Sequence, residues 1–313
     1  EKIGLFGNVN PKHVIEGSEV KSIYEVPLTL YSQGAGKIIM DRLKLPGKVD
    51  VSYLEKFIKK FKKPKHRVTI AMCGKYTELP DAYKSVIEAF IHSGVENDAK
   101  VDVKWISTEK IKTQKDASSA FKNVDGILLL PGFGSRGSEG KILSCQHARE
   151  NMIPFLGICL GLQCAVIEFA RNVCGLKSAN STEFSKKTKN PVIDLMESQK
   201  AIKAKGGTMR LGSYSCDLEK GSKAFAAYRK KKISERHRHR WEFNNRYRDS
   251  LEKKGLKISG VNKDLNLVEI IELKDHPWYV ASQFHPELKS RVRKAHPLFR
   301  EFVKAAVNYE RKL

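Results

Sequence analysis

Short apolar runs alternate with longer amphipathic stretches from residue 67 onward, and this alternation is the strongest structural signal in the chain. The apolar runs predict strands at residues 67–72, 101–106, 124–130 and 153–158. In the stretches that follow them, apolar side chains recur every three or four positions, which predicts helices at residues 81–93, 139–151 and 160–171. Strands that alternate with helices usually form a parallel sheet. The pattern therefore predicts an α/β fold with a mostly parallel central sheet flanked by helices on both faces.

The second half of the chain is patterned less regularly. Short polar segments between residues 175 and 236 predict loops and a small antiparallel section. Residues 267–272 and 279–284 predict a late pair of strands, and residues 297–309 predict a closing helix.

The first 66 residues do not share the alternation. Residues 1–45 are too few to bury a core of their own; within them, residues 3–6 predict a short strand and residues 28–45 a loop that enters a helix. Residues 46–66 resemble a linker, because proline and glycine flank a lysine-rich amphipathic stretch. The chain begins with glutamate rather than methionine, which suggests an excerpt of a longer protein. We predict that residues 67–313 form the main domain.

Positive charge dominates the composition. Lysine and arginine together number 58, against 35 aspartate and glutamate residues, so the formal net charge is +23. This excess favours anionic partners such as nucleotides, although it could equally serve solubility. The basic residues form separate clusters without interleaved aromatic residues, which argues against a nucleic-acid-binding protein.

Other compositional features narrow the class of protein. Hydrophobic residues make up 41% of the chain, enough for a proper core. No stretch approaches the roughly 18–20 apolar residues of a membrane helix, and the N-terminus is not of the secretory type. None of the six cysteines forms a C-x-x-C pair, which argues against zinc, redox chemistry and a disulfide-stapled fold. These features predict a cytoplasmic protein with reduced thiols and no membrane partner.

Cys159 is the first candidate for chemistry. It stands between a predicted strand and a predicted helix, in the string Gly157-Ile158-Cys159-Leu160-Gly161. Glycines on both sides allow the tight strand–turn–helix elbow that presents a nucleophile, and the helix N-terminus favours a thiolate. The N–H of Leu160 could then stabilise an oxyanion. The alternative is a buried structural cysteine, which is the usual role of a lone one.

His285 and Glu287 are candidate partners for this thiol. They lie in Gln283-Phe284-His285-Pro286-Glu287, directly after the last predicted strand. The imidazole can take and return a proton, and a carboxylate two residues away can fix its tautomer. A lone histidine is more often structural, but a histidine and a glutamate that close a strand in a chain with an elbow cysteine indicate a catalytic triad.

The triad of cysteine, histidine and glutamate resembles that of class I glutamine amidotransferases. Five longer strings narrow the resemblance to the CTP synthase family: residues 74–76, 79–85, 179–184, 207–212 and 235–240. The resemblance extends from about residue 67 to residue 305 and includes residues 1–45 as the tail of that family's synthetase (amidoligase) domain. Residues 46–66 would then be an interdomain linker, and residues 67–313 the glutamine amidotransferase domain.

The resemblance implies a function. Cys159 would attack the side-chain amide of glutamine, form a glutamyl thioester and release ammonia for the ATP-dependent amination of UTP to CTP. ATP and Mg would be needed only in the synthetase domain, so this chain alone would need no cofactor and would make no CTP. GTP would act as an allosteric activator, and the full-length protein would be a homotetramer. An alternative is a regulatory, GTP-sensing assembly module with weak catalysis.

The resemblance also assigns residues to roles. The N–H groups of Leu160 and Gly132 would form the oxyanion hole. Gln163, Glu183 and Arg240 would bind glutamine, and this assignment is chemically sensible because a carboxylate suits an α-ammonium and a guanidinium suits an α-carboxylate.

A GTP site is implied at Phe133, Arg136 and Arg210, which supply an aromatic face for a base and two cations for an anion. The i, i+2 spacing of His237 and His239 could suggest a metal site, but no third ligand is obvious, so we predict no bound metal.

The loop that contains Gly132 has two further features. Residues 132–137 read G-x-G-x-x-G after an apolar strand, which resembles a dinucleotide fingerprint. The fingerprint belongs in the first strand–helix unit of a fold, whereas here it comes late, so we interpret the loop as the oxyanion loop. The CTP synthase family usually has Gly-Gly at residues 131 and 132, but this chain has Pro131. Proline has no N–H, which makes Gly132 the expected donor.

Overall fold

The structure is a computed structural model that describes residues 1–195 and 209–310. The chain divides into two compact units, Glu1–Pro64 and Lys65–Leu313. Gly207 and Thr208, which open one of the five strings quoted above, lie outside the described residues. The division does not test the assignment of residues 1–45 to a synthetase domain, which stays a prediction.

The first unit is helical. Its α-helices are α1 (Lys2–Phe6), α2 (Val26–Ser32), α3 (Ala35–Leu43) and α4 (Ser52–Lys62). The predicted strand at residues 3–6 is wrong, because these residues form α1. A strand needs a partner strand for its backbone groups, whereas here the bonds are local: Leu5 N–H donates to Glu1 O at 2.9 Å and Gly7 N–H to Ile3 O at 2.9 Å.

The lysine-rich stretch of the first unit forms α4. Its apolar face is buried at Leu54, Phe57 and Ile58, while its lysines remain on the other side. The ring of Tyr24 packs against that of Phe57, with their centroids 4.9 Å apart. The amphipathic pattern of this segment therefore reflects packing against its own unit.

The second unit is built on a nine-stranded sheet, within the described residues. The strand order is β2-β1-β3-β4-β12-β11-β10-β7-β8. The strands are β1 (His66–Gly74), β2 (Ala99–Ser107), β3 (Gly126–Leu129), β4 (Phe155–Ile158), β7 (Arg210–Leu218), β8 (Lys232–His239), β10 (Leu256–Asn262), β11 (Leu267–Leu273) and β12 (Tyr279–Ser282).

The predicted fold class is confirmed, with a larger antiparallel part than the sequence indicated. Strands β2, β1, β3, β4 and β12 pair in parallel, while β12, β11, β10, β7 and β8 pair antiparallel. Strands β7 and β8 pair antiparallel along most of their length, and the side chains of β8 are alternately exposed and buried. A segment with so many polar residues is easily mistaken for a loop. Strands β5 (Ala179–Ser181), β6 (Asn190–Leu195) and β9 (Trp241–Phe243) form a separate small sheet.

Helices cover both faces of the parallel half. The α-helices of the second unit are α5 (Lys84–Glu96), α6 (Gln114–Ala120), α7 (Ser138–Glu150), α8 (Leu160–Asn172), α9 (Lys223–Tyr228), α10 (Arg248–Glu252) and α11 (Pro297–Glu310). On β1, Ile70 and Met72 pack in the core shared with α5 and α11, whereas Ala71 and Cys73 pack in the core shared with α7 and α8. This two-sided burial explains the continuous apolar runs.

The parallel pairing decides where the site lies. Strands β1, β3, β4 and β12 run the same way, so their carboxyl ends meet at one edge of the sheet. The loops after these four strands contain Lys75, Gly132, Cys159 and His285, and this edge is where ligands bind in α/β sheets. None of the helices in the described parts of the chain is both long and apolar enough to cross a membrane.

Candidate active site

Cys159 occupies a strained turn between β4 and α8. Its φ is 54° and its ψ is −100°, and it is the residue that precedes the first turn of α8. Its own N–H donates to Ser282 O at 2.7 Å, so the elbow is fixed to the end of β12. A non-glycine residue with positive φ costs free energy, roughly 1–3 kcal/mol, and such strain concentrates at functional sites. Cys159 is 2% exposed.

The glycines on either side of Cys159 are required by packing. A Cβ on Gly157 would lie 2.9 Å from both Ala281 Cβ and Gly161 C, and a Cβ on Gly161 would lie 2.7 Å from Leu129 O. Real Cβ atoms do not approach backbone this closely, so β4, α8 and β3 can cross only because these side chains are absent. The close packing of β4, α8 and β3 therefore requires both glycines of the Gly-x-Cys-x-Gly string.

His285 and Glu287 form a buried pair beside the elbow. His285 Nδ1 lies 2.7 Å from Glu287 Oε1, and the backbone N–H of His285 donates to Arg236 O on β8 at 2.8 Å. Glu287 lies in a 3₁₀ turn, Pro286–Lys289, that directly follows His285. Because β12 pairs in parallel with β4, the turns after the two strands are neighbours, which brings residues more than 120 positions apart in sequence into one site.

The environment of His285 favours its charged form. Burial alone would lower the pKa of His285, but interactions with Cys159 and Glu287 outweigh it and raise the pKa to about 10. Within the described residues, Nε2 of His285 makes no other hydrogen bond, which leaves this nitrogen for its interaction with Cys159. An imidazolium next to a thiolate is the resting state expected of a nucleophilic cysteine.

The two predicted oxyanion donors are neighbours. The N–H of Leu160 belongs to the first turn of α8, where backbone N–H groups have no helical acceptor. A Cβ placed on Gly132 would lie 3.7 Å from Leu160 Cδ2, in ordinary contact, so the loop after β3 packs against the elbow. Pro131 precedes Gly132 and has no N–H to donate. The assignment of Gly132 as second donor stays a prediction.

Two lysines fix the backbone of this loop. Lys141 Nζ donates to Leu130 O at 2.7 Å, and Lys75 Nζ donates to Phe133 O at 2.7 Å. Lys141 is almost fully buried, and this burial lowers its pKa. Burial also lowers the pKa of Lys75, as does the charge of Arg136. A Cβ placed on Gly132 would lie 3.8 Å from Lys141 Nζ, so this lysine lies close to the predicted second oxyanion donor.

Glu183 contacts the same loop. Its Oε1 accepts a hydrogen bond from the N–H of Gly134 at 2.7 Å. Burial raises the pKa of Glu183, while the Gly134 N–H and the charges of Lys75 and Arg240 oppose that shift. The predicted glutamine-binding residues Glu183 and Arg240 therefore interact electrostatically, as expected for two groups that share one amino-acid ligand.

Gln163 is buried in the first turns of α8. Its Nε2 donates to Trp241 O at 2.9 Å and to Gln283 Oε1 at 3.3 Å. Its Oε1 accepts no hydrogen bond from the described residues. A buried carbonyl oxygen without a donor is costly, so this atom is suited to an N–H group of a bound ligand.

The three residues predicted for GTP have different surroundings. Phe133 is 41% exposed on the oxyanion loop, and Arg136 of the same loop lies over the ring of Tyr76 at 5.3 Å. Arg210 is instead buried at the start of β7, where its Nη2 lies 2.7 Å from Glu269 Oε1. Its other terminal nitrogen lies 3.5 Å from a carboxylate oxygen of Glu242. The GTP assignment stays a prediction, and Arg210 has an evident structural role.

His237 and His239 belong to the same buried cluster as Arg210. His237 Nδ1 lies 3.0 Å from His239 Nε2. Burial, together with the charge of Arg210, lowers the pKa of His237 to about 2 and that of His239 to about 3, so both are neutral. Within the described part of the chain, no group of three or more histidine, cysteine, aspartate and glutamate residues is arranged to hold a metal ion.

Sequence reasoning gave no role to three residues of the site. Lys75 and Lys141 hold the oxyanion loop, and Gln283 Nε2 donates to Cys159 Sγ at 3.6 Å. Lys75 and Gln283 were inside strings that carried the resemblance, so a signal existed for both. In the sequence, Lys141 is one lysine of a predicted helix, and only its burial in the structure indicates that it has a role in the site.

Comparison with known proteins agrees with this geometry. The sequence model of the glutamine amidotransferase class-I family matches residues 78–305. The chain is 55% identical over 312 residues to a CTP synthase from Cytophaga hutchinsonii, and 55% identical over 309 residues to one from Caldanaerobacter subterraneus subsp. tengcongensis. These matches cover 99% and 98% of this chain, but only 58% and 57% of the relatives. The chain thus spans little more than half the length of the curated relatives that it matches.

A solved structure is also similar. It is the glutaminase domain of the Trypanosoma brucei CTP synthase with bound acivicin, with a TM-score of 0.73 and 36% sequence identity. The match covers 77% of this chain and 94% of that one. With the family match over most of the chain, and with Cys159 and His285 at the carboxyl edge of the sheet, this chain belongs to the class-I glutamine amidotransferase family.

Proposed function

We propose that this chain is the glutaminase part of a CTP synthase, and that it hydrolyses glutamine at Cys159 to supply ammonia for the ATP-dependent amination of UTP to CTP. The observation that carries the proposal is the geometry of the elbow: a strained Cys159 at a helix N-terminus beside the His285–Glu287 pair at 2.7 Å. The relatives named CTP synthase support the amination of UTP as the use of this ammonia.

The first half of the reaction forms a thioester. The Cys159 thiolate attacks the side-chain carbonyl carbon of glutamine, so a C–S bond forms and the carbonyl electrons move onto oxygen. The N–H groups of Leu160 and Gly132 stabilise this oxyanion. When the electrons return, the C–N bond breaks, and the His285 imidazolium gives its proton to the departing nitrogen, which leaves as ammonia.

The second half regenerates the thiolate. His285, now neutral, takes a proton from a water molecule whose oxygen attacks the thioester carbonyl carbon. A second oxyanion forms in the same place and collapses with cleavage of the C–S bond, which releases glutamate. Glu287 holds the imidazole ring in one orientation throughout, because it accepts from Nδ1 and leaves Nε2 for the reaction.

Glutamine recognition uses charges on both sides of the elbow. Glu183 binds the α-ammonium and Arg240 the α-carboxylate, which orients the side-chain amide toward Cys159. Gln163 Oε1, which accepts nothing from the described residues, receives an N–H of the ligand. These assignments rest on the chemistry of the groups and on the electrostatic link between Glu183 and Arg240.

The remaining partners belong to the whole protein. ATP, Mg and UTP would be bound by the synthetase domain, of which residues 1–45 are the tail, so this chain alone should make no CTP. GTP would act on the glutaminase domain through Phe133 and Arg136 of the exposed loop, whereas Arg210 pairs with buried carboxylates and is left out of this proposal. The complete protein would be a cytoplasmic homotetramer.

The proposal is tested by labelling with the glutamine analogue diazo-oxo-norleucine and by measuring glutamate release with and without GTP. We expect one label per chain, located on Cys159 by mass spectrometry, and protection by excess glutamine. Cys174→Ala, which removes a half-exposed thiol elsewhere, should label normally. A chain that shows neither labelling of Cys159 nor glutamate release would refute the proposal.

A further inference from the structure

We propose that Gln283 is a further catalytic residue of this site, whose side-chain N–H group donates a hydrogen bond to the reacting sulfur of Cys159 and stabilises the thiolate. The inference rests on the proposed function, since it concerns the same nucleophile. It adds a neutral hydrogen-bond donor to a charge pair between thiolate and imidazolium. Gln283 is fully buried, so its amide cannot be exchanging bonds with bulk water.

The position of Gln283 is fixed by the main chain. It directly follows β12, and its backbone N–H donates to Glu269 O on β11 at 2.8 Å. Its side-chain Nε2 lies 3.6 Å from Cys159 Sγ, a normal distance for a hydrogen bond to sulfur. Gln283 lies two residues before His285, so one short segment supplies both the amide donor and the imidazole.

The orientation of the Gln283 amide follows from its neighbours. A backbone carbonyl can only accept, so Trp241 O requires the NH₂ group of Gln163 to face it, at 2.9 Å. The same NH₂ group lies 3.3 Å from the Gln283 amide, and because it is a donor it must face the oxygen of Gln283. The NH₂ group of Gln283 is then left to point at Cys159. The donor at the sulfur is thus determined by a relay that begins at Trp241 O.

A donor at this place has a chemical consequence. An N–H group that donates to sulfur stabilises the negative thiolate more than the neutral thiol. Charged groups among the described residues already act on Cys159, namely His285 and the buried Lys141 of α7. Gln283 differs from both because it cannot lose a proton. Its contribution should persist at a pH where His285 is neutral.

The test measures the reactivity of the thiol without using glutamine. The rate of alkylation of Cys159 by iodoacetamide, followed by mass spectrometry, is measured against pH in the unmodified chain, in Gln283→Met and in Gln283→Glu. Methionine keeps the length of the side chain and removes the donor, whereas glutamate keeps its shape and offers a carboxylate. Gln146→Met on α7, remote from the sulfur, is the matched control.

We expect the midpoint of the alkylation profile to move up by about one pH unit in Gln283→Met, so that alkylation below the midpoint slows about tenfold. Gln283→Glu should move it further, and Gln146→Met should not move it. Circular dichroism and thermal melting establish that each variant is folded. If one of the two Gln283 variants fails to fold, the alkylation midpoint of the other variant tests the proposal.

The outcomes separate this inference from the proposed function. An unchanged midpoint in a folded Gln283 variant, with a reactive Cys159 in the unmodified chain, would overturn the role of Gln283 alone. An unmodified chain in which Cys159 reacts no faster than Cys174 and does not hydrolyse glutamine would overturn the proposed function itself. A midpoint that rises in both Gln283 variants and stays in Gln146→Met would support the inference.

Discussion

Glu183 Oε1 accepts a hydrogen bond of 2.7 Å from the N–H of Gly134, which ties a proposed substrate-binding carboxylate to the oxyanion loop. The loop contains Gly132, the proposed oxyanion donor, two residues earlier. A change at Glu183 therefore has two separable effects. The charge acts on the substrate, and the acceptor oxygen acts on the shape of the loop.

The two effects predict different kinetics for two substitutions. Glu183→Gln keeps an oxygen for Gly134 N–H but removes the charge, so we expect KM for glutamine to rise roughly tenfold to hundredfold with kcat largely retained. Glu183→Ala removes both, so kcat should fall as well. Glu139→Gln, which changes an exposed carboxylate, is the control. Steady-state glutaminase kinetics that show the same loss of kcat in both Glu183 variants would contradict the separation.

Cys159→Ala should abolish glutamine hydrolysis without unfolding the protein. The nucleophile is lost, whereas the packing of the elbow depends on Gly157 and Gly161, which are unchanged. Glutamate release should fall to the uncatalysed background, and the melting temperature should change by no more than a few degrees. Cys174→Ala should retain activity. Substantial glutamate release by folded Cys159→Ala would disprove the covalent mechanism.

Glu287→Gln should lower turnover by a factor on the order of 10²–10⁴, because the imidazole loses the carboxylate that orients it. The same change should lower the pKa of His285, since Glu287 is one of the groups that raise it to about 10. The alkaline limb of the pH–rate profile should therefore move to lower pH. Glu301→Gln on α11 provides the comparison, and an alkaline limb that stays in place in Glu287→Gln would show that Glu287 does not act through His285.

The buried histidines predict acid sensitivity of the fold. The pKa of His237 is lowered to about 2 and that of His239 to about 3, so the unfolded chain binds protons between those values and about 6.5 while the native one does not. Their stabilising contribution is complete above pH 6.5 and is lost as the pH falls. Glu269, whose pKa burial raises to about 7, has the opposite effect: its contribution is complete below about pH 4.5 and is lost as the pH rises through 7.

The double variant His237→Gln/His239→Gln isolates this effect. Between pH 6.5 and 4, the unfolding free energy of the unmodified chain should fall more steeply than that of the variant, by about 1.4 kcal/mol per pH unit for each histidine. Urea unfolding at a series of pH values measures both slopes. His13→Gln, in the other compact unit, should keep the slope of the unmodified chain. Equal slopes in all three proteins would show that the histidines do not cause the acid sensitivity.

Gly161→Ala should destabilise the protein by roughly 1–3 kcal/mol and reduce activity. The added Cβ would lie 2.7 Å from Leu129 O, so α8 or β3 must shift, and the shift moves the Cys159 elbow. Gly17→Ala, at a position with no atom within 4 Å of the new Cβ, should change the free energy of unfolding by far less. Chemical unfolding compares the two variants, and a Gly161→Ala protein as stable and active as Gly17→Ala would remove packing as the reason for this glycine.

Local sequence patterns predicted the strands and helices whose formation depends mainly on their own residues. The apolar runs on either side of Cys159 were predicted as β4 and α8 to within a few residues, because a doubly buried strand and an amphipathic helix leave clear periodicities. Residues 3–6 were predicted wrongly, since four apolar or small residues fit a strand or a short helix equally well. The extent of the antiparallel pair β7–β8 was underestimated, because its exposed side chains are polar.

Local strings in the chain predicted the candidate chemistry: an elbow cysteine, a histidine and a glutamate after a late strand, and the family that such strings resemble. How these groups interact depends on the fold. The parallel pairing of β12 with β4 brings His285 to Cys159. Burial keeps His237 neutral, whereas interactions with Cys159 and Glu287 outweigh burial and keep His285 charged. The fold also reveals Gln283 as a donor to the sulfur, because the direction of an amide depends on neighbours far away in the sequence. Distance, burial and hydrogen-bond direction are properties of the folded chain, and no local pattern encodes them.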